Sequence, residues 1–170
     1  VAITSFGAVV APAGDVNGDG YDDLLATAPH AGDGRAWVFY GSAGGLQAGS
    51  PWTYVHNDAG FAQAQFGGSA AGAGDVNGDG YDDVVIGVPF ALDGAGAAYL
   101  FHGGAGGVAG SAAWARTGGT GESYGQSVAG AEVTCMNVRT AGEGLINAGP
   151  ANRVLTDEEG RFRIYTADAN

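Results

Sequence analysis

The chain holds a single cysteine, Cys135, so no disulfide can form within it. On a strand-like stretch, a lone cysteine reads as a small buried side chain. Lysine is absent, and six basic residues face eighteen acidic ones for a net charge of −12. Nucleic acids and anionic membranes both need a basic face, and no basic cluster exists, so neither is an expected partner. The all-arginine basic set hints at a GC-rich bacterial source or an acidic, salt-tolerant protein. No apolar run approaches the ~20 residues that cross a bilayer, which argues against membrane insertion. Val1 opens directly into strand-like sequence with no visible secretory leader, the expectation being a processed or excised segment. Catalytic signatures are missing too. There is no GxSxG elbow and no phosphate-cradling GxxxxGK[ST]. Ser69 and Ser127 share a repeat position, so neither reads as a nucleophile. His30, His56 and His102 share no ligand spacing, and each reads as a surface residue or strand end. The chain is not expected to be an enzyme.

What the chain has in abundance is glycine, 34 of 170 residues, placed in recurring turns without a collagen period. One string, AGDVNGDGYDD, occurs at Ala13–Asp23 and again sixty positions on at Ala73–Asp83. Packing four aspartates and an asparagine into so short a stretch is unfavourable unless something offsets their repulsion, and a divalent cation does. Counting from Asp15, alternate positions are Asp15, Asn17, Asp19, Tyr21 and Asp23; the second copy gives Asp75, Asn77, Asp79, Tyr81 and Asp83. Glycines at positions four and six let the backbone wrap a small ion. The tyrosine at position seven would contribute its main-chain carbonyl. An all-oxygen set in a flexible loop suits Ca²⁺, and the soft ligands that zinc or copper prefer are missing. Two calcium sites are therefore expected, most useful where free calcium is millimolar, outside cells.

An EF-hand starts the same way but needs a bidentate acid at position twelve and flanking helices. Here position twelve is Ala26 or Ile86, and the flanks LLATAP and VVIGVP read as short strands. The same missing acid excludes a dockerin. A metal-free acidic turn is the plain alternative, and recurrence of all five ligand positions weighs against it. Acid pairs such as Asp22-Asp23 do not suggest glycosidase chemistry, because neighbours on an extended chain point opposite ways.

The repeat extends beyond the loop. Phe6-Gly7 and Phe66-Gly67 precede the two copies, and Ala28-Pro29 and Val88-Pro89 follow them. Then GRAWVFYG (Gly34–Gly41) matches GAAYLFHG (Gly96–Gly103), and Trp52 and Trp114 come after. One unit thus reads as four short strands: a small-residue strand, an apolar strand after the loop, an aromatic strand and a tryptophan strand. The strand aromatics Trp37, Phe39, Tyr99 and Phe101 read as packing between units, whereas Trp52 and Trp114 are the candidates for exposed contacts.

In these motifs the chain resembles the FG-GAP repeat of the integrin α-subunit β-propeller and its bacterial relatives. The resemblance implies an all-β fold, a partial β-propeller of four-stranded blades. It implies blades at residues 1–60 and 61–120, each with a calcium loop whose ligands are the positions named above. Residues 121–170 begin with Tyr124-Gly125 and YGQSVAGAEV, then lose the acidic loop. They read as a degenerate third blade without calcium or as the start of a small β-sandwich, with LINAGP and GRFRIY as strands and TDEEGRF as a turn in the second case. Propellers close with about four to eight blades, so other blades or another chain are expected to complete this one. The resemblance further implies an extracellular or cell-surface module that binds a protein or glycan ligand, with calcium acting structurally. The alternatives are an accessory propeller of a secreted hydrolase or lyase whose catalytic domain lies elsewhere, and a structural spacer.

Overall fold

The computed structural model describes residues 5–47, 49–56 and 64–128, and the backbone of three later strands at 146–148, 152–156 and 162–166. The first eight strands form two four-stranded antiparallel sheets in simple sequence order. The first sheet contains β1 (Val10–Gly14), β2 (Asp23–Ala28), β3 (Arg35–Phe39) and β4 (Trp52–Val55). The second contains β5 (Ser69–Gly74), β6 (Asp83–Val88), β7 (Ala97–Phe101) and β8 (Trp114–Thr117), with one helical turn, α1 (Ala91–Gly94), between β6 and β7. This is the four-strand unit expected from the sequence, twice over: an all-β chain of propeller-type blades.

Strand periodicity explains how the sheets stack. In β6, Val84, Ile86 and Val88 enter the core shared with Leu25, Val38 and Phe66 of the first blade's side, while Val85 enters a second core with Ala98, Leu100 and Tyr124. In β7, Ala97, Tyr99 and Phe101 take the first side and Ala98 and Leu100 the second. A strand covered on both faces carries an unbroken apolar run, and all six residues of β6 are buried. Each fully buried aliphatic or aromatic side chain contributes roughly 1.5–3 kcal/mol. The small residues of β1 and β5 let those strands lie backbone to backbone; a Cβ on Gly72 would stand 2.8 Å from the Pro12 carbonyl oxygen.

A third unit starts as the second does. Gly34 bridges to Phe66, and Gly96 bridges to Tyr124 in the same parallel manner. Residues 129–145, with Cys135 among them, lie outside the described residues. Beyond them β9 (Ile146–Ala148), β10 (Asn152–Thr156) and β11 (Phe162–Thr166) form an antiparallel sheet in the order β11-β10-β9, with Thr156 opposite Phe162. No helix among the described residues is long and apolar enough to cross a membrane.

Two sequence expectations need correction. His56 is not a surface residue in a polar turn. It is 1% exposed, stacked on Phe66 with ring centroids 5.2 Å apart, and its Nε2 lies 3.1 Å from the Tyr99 hydroxyl. The signal was that His56 continues the alternation Trp52, Tyr54 one step past the strand, onto the inter-blade face. Trp52 and Trp114 are not free contact residues either. Trp52 packs on Phe101 at 5.3 Å and donates its indole N–H to the Ala109 carbonyl at 3.1 Å, and Trp114 packs against the second core. Blade stacking consumes these rings.

Candidate metal centre

Both acidic loops connect the first two strands of a blade and leave the sheet the same way. The register shifts between Pro12 and Gly14 and between Gly72 and Gly74, so each loop begins at an irregularity in the first strand. In the first loop the Asp15 carboxylate accepts from the Asp19 amide at 3.0 Å and the Gly20 amide at 2.8 Å. Asn17 Oδ1 also accepts from the Asp19 amide at 3.0 Å, and Asp19 Oδ1 accepts from the Tyr21 amide at 3.0 Å. Asn17 Nδ2 donates to Asp19 Oδ2 at 3.0 Å. The second loop repeats the pattern. Asp75 accepts from the amides of Gly78, Asp79 and Gly80 at 2.7, 3.1 and 2.8 Å. Asn77 and Asp79 repeat the roles of Asn17 and Asp19.

The position-nine aspartates tie the loop to the sheet. Asp23 is 3% exposed and accepts from the Val16 amide at 3.0 Å and the Gly41 amide at 2.7 Å. Asp83, fully buried, accepts from the Val76 and Gly103 amides at 2.9 Å each. Burial pushes the Asp23 carboxyl above the ordinary carboxylate range; the Gly41 and Val16 amides pull it back, and the charges of Asp19 and Asp15 push it further up. Asp75 is held low, first by the Gly80 amide and then by the neighbouring amides of its turn.

The structure therefore gathers Asp15, Asn17 and Asp19 into one hydrogen-bonded turn, with Asp23 beneath, and does the same with Asp75, Asn77, Asp79 and Asp83. Tyr21 and Tyr81 lie within the turns through their main chains. Among the described residues, no three histidine, cysteine, aspartate or glutamate side chains converge closely enough to form a metal cage by themselves. An all-oxygen set for a cation would have to include the Asn17 and Asn77 amide oxygens and main-chain carbonyls at Tyr21 and Tyr81. That donor chemistry fits a hard cation of flexible coordination and excludes a thiolate-type zinc centre. No arginine among the described residues is paired with a loop carboxylate. The second loop differs in having His102 beside it, with Nδ1 3.2 Å from Asp83 Oδ1 and 3.1 Å from Asn77 Nδ2. A protonated Nδ1 donates to Asp83, and a bare one accepts from Asn77. In the sequence, His102 reads merely as a strand end.

Position eight carries a role that the sequence did not disclose. The Asp82 carboxylate accepts from the Asp15 amide at 2.8 Å, and the Asp82 amide donates to the Asp15 carbonyl at 3.1 Å. The Gly104 amide adds a bond to the Val16 carbonyl at 2.9 Å. The second loop thus clasps the start of the first. Gly14, at φ +79°, has no room for a Cβ because Asp82 occupies that space, and a Cβ on Gly18 would meet the Tyr81 ring at 2.6 Å.

Comparison with known proteins finds similarity over parts of the chain. The FG-GAP repeat family matches residues 6–39 and 66–101. Mouse integrin alpha-3 is 37% identical over 109 residues, 61% of this chain and 10% of the relative. Integrin alpha-PS2 of Drosophila melanogaster is 39% identical over 101 residues, 52% of the chain and 7% of the relative. Mouse integrin alpha-IIb is 38% identical over 86 residues, 48% and 8% respectively. The chain spans about a tenth or less of the length of these curated relatives.

Proposed function

We propose that this chain, two stretches of which match the FG-GAP repeat and resemble integrin α chains, is a calcium-stabilised propeller segment for adhesion or ligand binding outside the cell. Calcium would be held by Asp15, Asn17, Asp19, the Tyr21 carbonyl and Asp23, and in the second blade by Asp75, Asn77, Asp79, the Tyr81 carbonyl and Asp83. When bound, the ion would supply positive charge among the loop carboxylates. The rest is the work of the protein: the Asx-type turns preset the oxygens, Asp23 and Asp83 anchor the loops to the sheets, and the Asp82 clasp joins one loop to the next.

The observation that carries this reading is the recurrence of the same core of carboxylate-to-amide bonds in two blades. Conserving a turn so closely is unnecessary for a solvated acidic bend. Similarity to integrin α chains supports a binding role rather than catalysis and an extracellular or cell-surface setting, with a protein or glycan as ligand and further blades or another chain as structural partner. Residues 121–170 enter as a third unit without calcium. The role is tested by immobilising the chain and presenting extracellular-matrix proteins and a glycan array, each with and without calcium. Calcium-dependent capture of one ligand class supports it, and equal silence in every arm removes the binding role.

A further inference from the structure

We infer that Asn17 is a site of self-modification. In the folded chain the Asn17-Gly18 step closes to a succinimide and opens to aspartate or isoaspartate, while the same step at Asn77-Gly78 is guarded. This goes beyond the proposed function and does not depend on its calcium part. An asparagine ahead of glycine is prone to the reaction because glycine, with no Cβ, leaves its nitrogen unhindered. The Gly18 nitrogen attacks Asn17 Cγ. A C–N bond forms, the Cγ–Nδ2 bond breaks, and the proton lost by the Gly18 nitrogen passes by way of water to Nδ2, which leaves as ammonia. Water then opens the ring. Addition at Cγ gives aspartate; addition at the main-chain carbonyl gives isoaspartate, whose backbone runs through Cβ and Cγ. One water is consumed and one ammonia released.

Local sequence makes the two steps equal, since the eleven residues Ala13–Asp23 and Ala73–Asp83 are identical. The fold separates them. The Gly78 amide donates to Asp75 Oδ1 at 2.7 Å, and this charge-assisted bond must break before the nitrogen can turn toward Cγ. The Asn77 side chain is held as well, with Nδ2 2.8 Å from Asp79 Oδ2 and 3.1 Å from His102 Nδ1. In the first loop Asp15 accepts from Asp19 and Gly20, and no described residue accepts from the Gly18 amide. Asn17 Nδ2 donates to Asp19 Oδ2 alone, at 3.0 Å. The Tyr81 ring stands against Gly18, but a half-buried side chain swings aside more readily than a carboxylate bond breaks. Exposure alone would give the opposite order, because Asn77 is exposed and Asn17 half-buried. The consequence falls on the contact between blades. Isoaspartate lengthens the main chain by one carbon between Asp15, which Asp82 clasps, and Gly18, which Tyr81 covers. It also turns the Oδ1 that accepts from the Asp19 amide into a main-chain carbonyl.

The test ages the chain at mildly alkaline pH in EGTA, in calcium and in urea. Cleavage after Arg35 and Arg116 puts the two asparagines on separate peptides. Fragment masses then follow the amide-to-acid change at each, and isoaspartyl methyltransferase labels the lengthened product. In urea the two positions react at equal rates, as identical sequences must. In folded chain with EGTA, position 17 reacts faster than position 77 by roughly tenfold, the worth of one charge-assisted hydrogen bond. Asp75→Ala raises the rate at position 77 to that at position 17 and leaves position 17 unchanged; should that variant unfold, the comparison within the parent chain still decides. Equal rates in the folded parent chain, or a faster position 77, overturn the inference. Calcium, by occupying the asparagine Oδ1 atoms, slows both positions. Rates indifferent to calcium contradict the calcium reading and leave the order of the two sites intact.

Discussion

Single residues in the loops divide between those proposed to hold a cation and those that also hold the fold. Asp23 does the second whether or not metal is present, since each oxygen accepts one buried amide, from Val16 and from Gly41. Asp23→Asn would set an N–H against one of those donors. The expected cost is about 1–3 kcal/mol in chelator, measured by urea unfolding. Proton linkage has a definite sign here. Asp23 has a folded pKa raised by burial, so its charged form weighs against the metal-free fold; that penalty lifts as pH falls from neutral through the raised value. Asp75 has a lowered pKa, so its contribution is present above the ordinary carboxylate value and is lost as pH falls below it. In the proposed site, calcium would compete with the proton at Asp23. The gain in melting temperature on adding calcium should therefore shrink as pH falls through that raised value, and a gain that does not change with pH would contradict the assignment. At this scale the sequence was legible where ligands alternate along the loop. Asp82 was not, because its partner Asp15 lies 67 residues away and belongs to another blade.

Whole strands show how one contact is rebuilt from different residues. Between the first two blades the Thr27 hydroxyl of β2 donates to the Gly67 carbonyl at 2.8 Å. Sixty residues on, glycine replaces that threonine, and the Ser69 hydroxyl on β5 donates to the Gly125 carbonyl at 2.7 Å. Ser69 and Gly87 are paired across β5 and β6, so the hydroxyl has moved one strand over to the same task. Ser69→Ala should cost about 1 kcal/mol in urea unfolding, the value of one hydrogen bond. Gly87→Ala should cost more, roughly 1–3 kcal/mol, because a Cβ there strikes both the Ser69 hydroxyl and the Gly125 carbonyl. Combining it with Ser69→Ala should leave most of that cost, since the backbone carbonyl remains. Full recovery in the double variant would show that the side chain alone sets the spacing. Strand order could be read from the sixty-residue period, but this exchange could not, since it needs the knowledge that the two strands are neighbours. The fate of Trp52, Trp114 and His56 was hidden for a related reason: an aromatic beside a glycine-rich loop has the same local sequence whether solvent or another blade lies against it.

For the molecule as a whole, the repeat period made the two four-stranded blades legible, and the blades fix where the acidic loops stand. The end of the chain was less legible because the acidic loop, the strongest punctuation of the repeat, is missing after Tyr124. With a net charge of −12 and eight acids in two short loops, bound metal would be a counterweight. If each loop binds at ~10⁻⁴ M and free calcium is about 1 mM, each site stabilises the fold by about 1.4 kcal/mol. The direct measurement is isothermal titration of the chelator-treated chain with calcium, paired with a thermal melt in EGTA. Two ions taken up per chain, with a higher melting temperature in calcium than in EGTA, are predicted. No uptake at millimolar calcium, or a melting temperature indifferent to EGTA, would contradict the account.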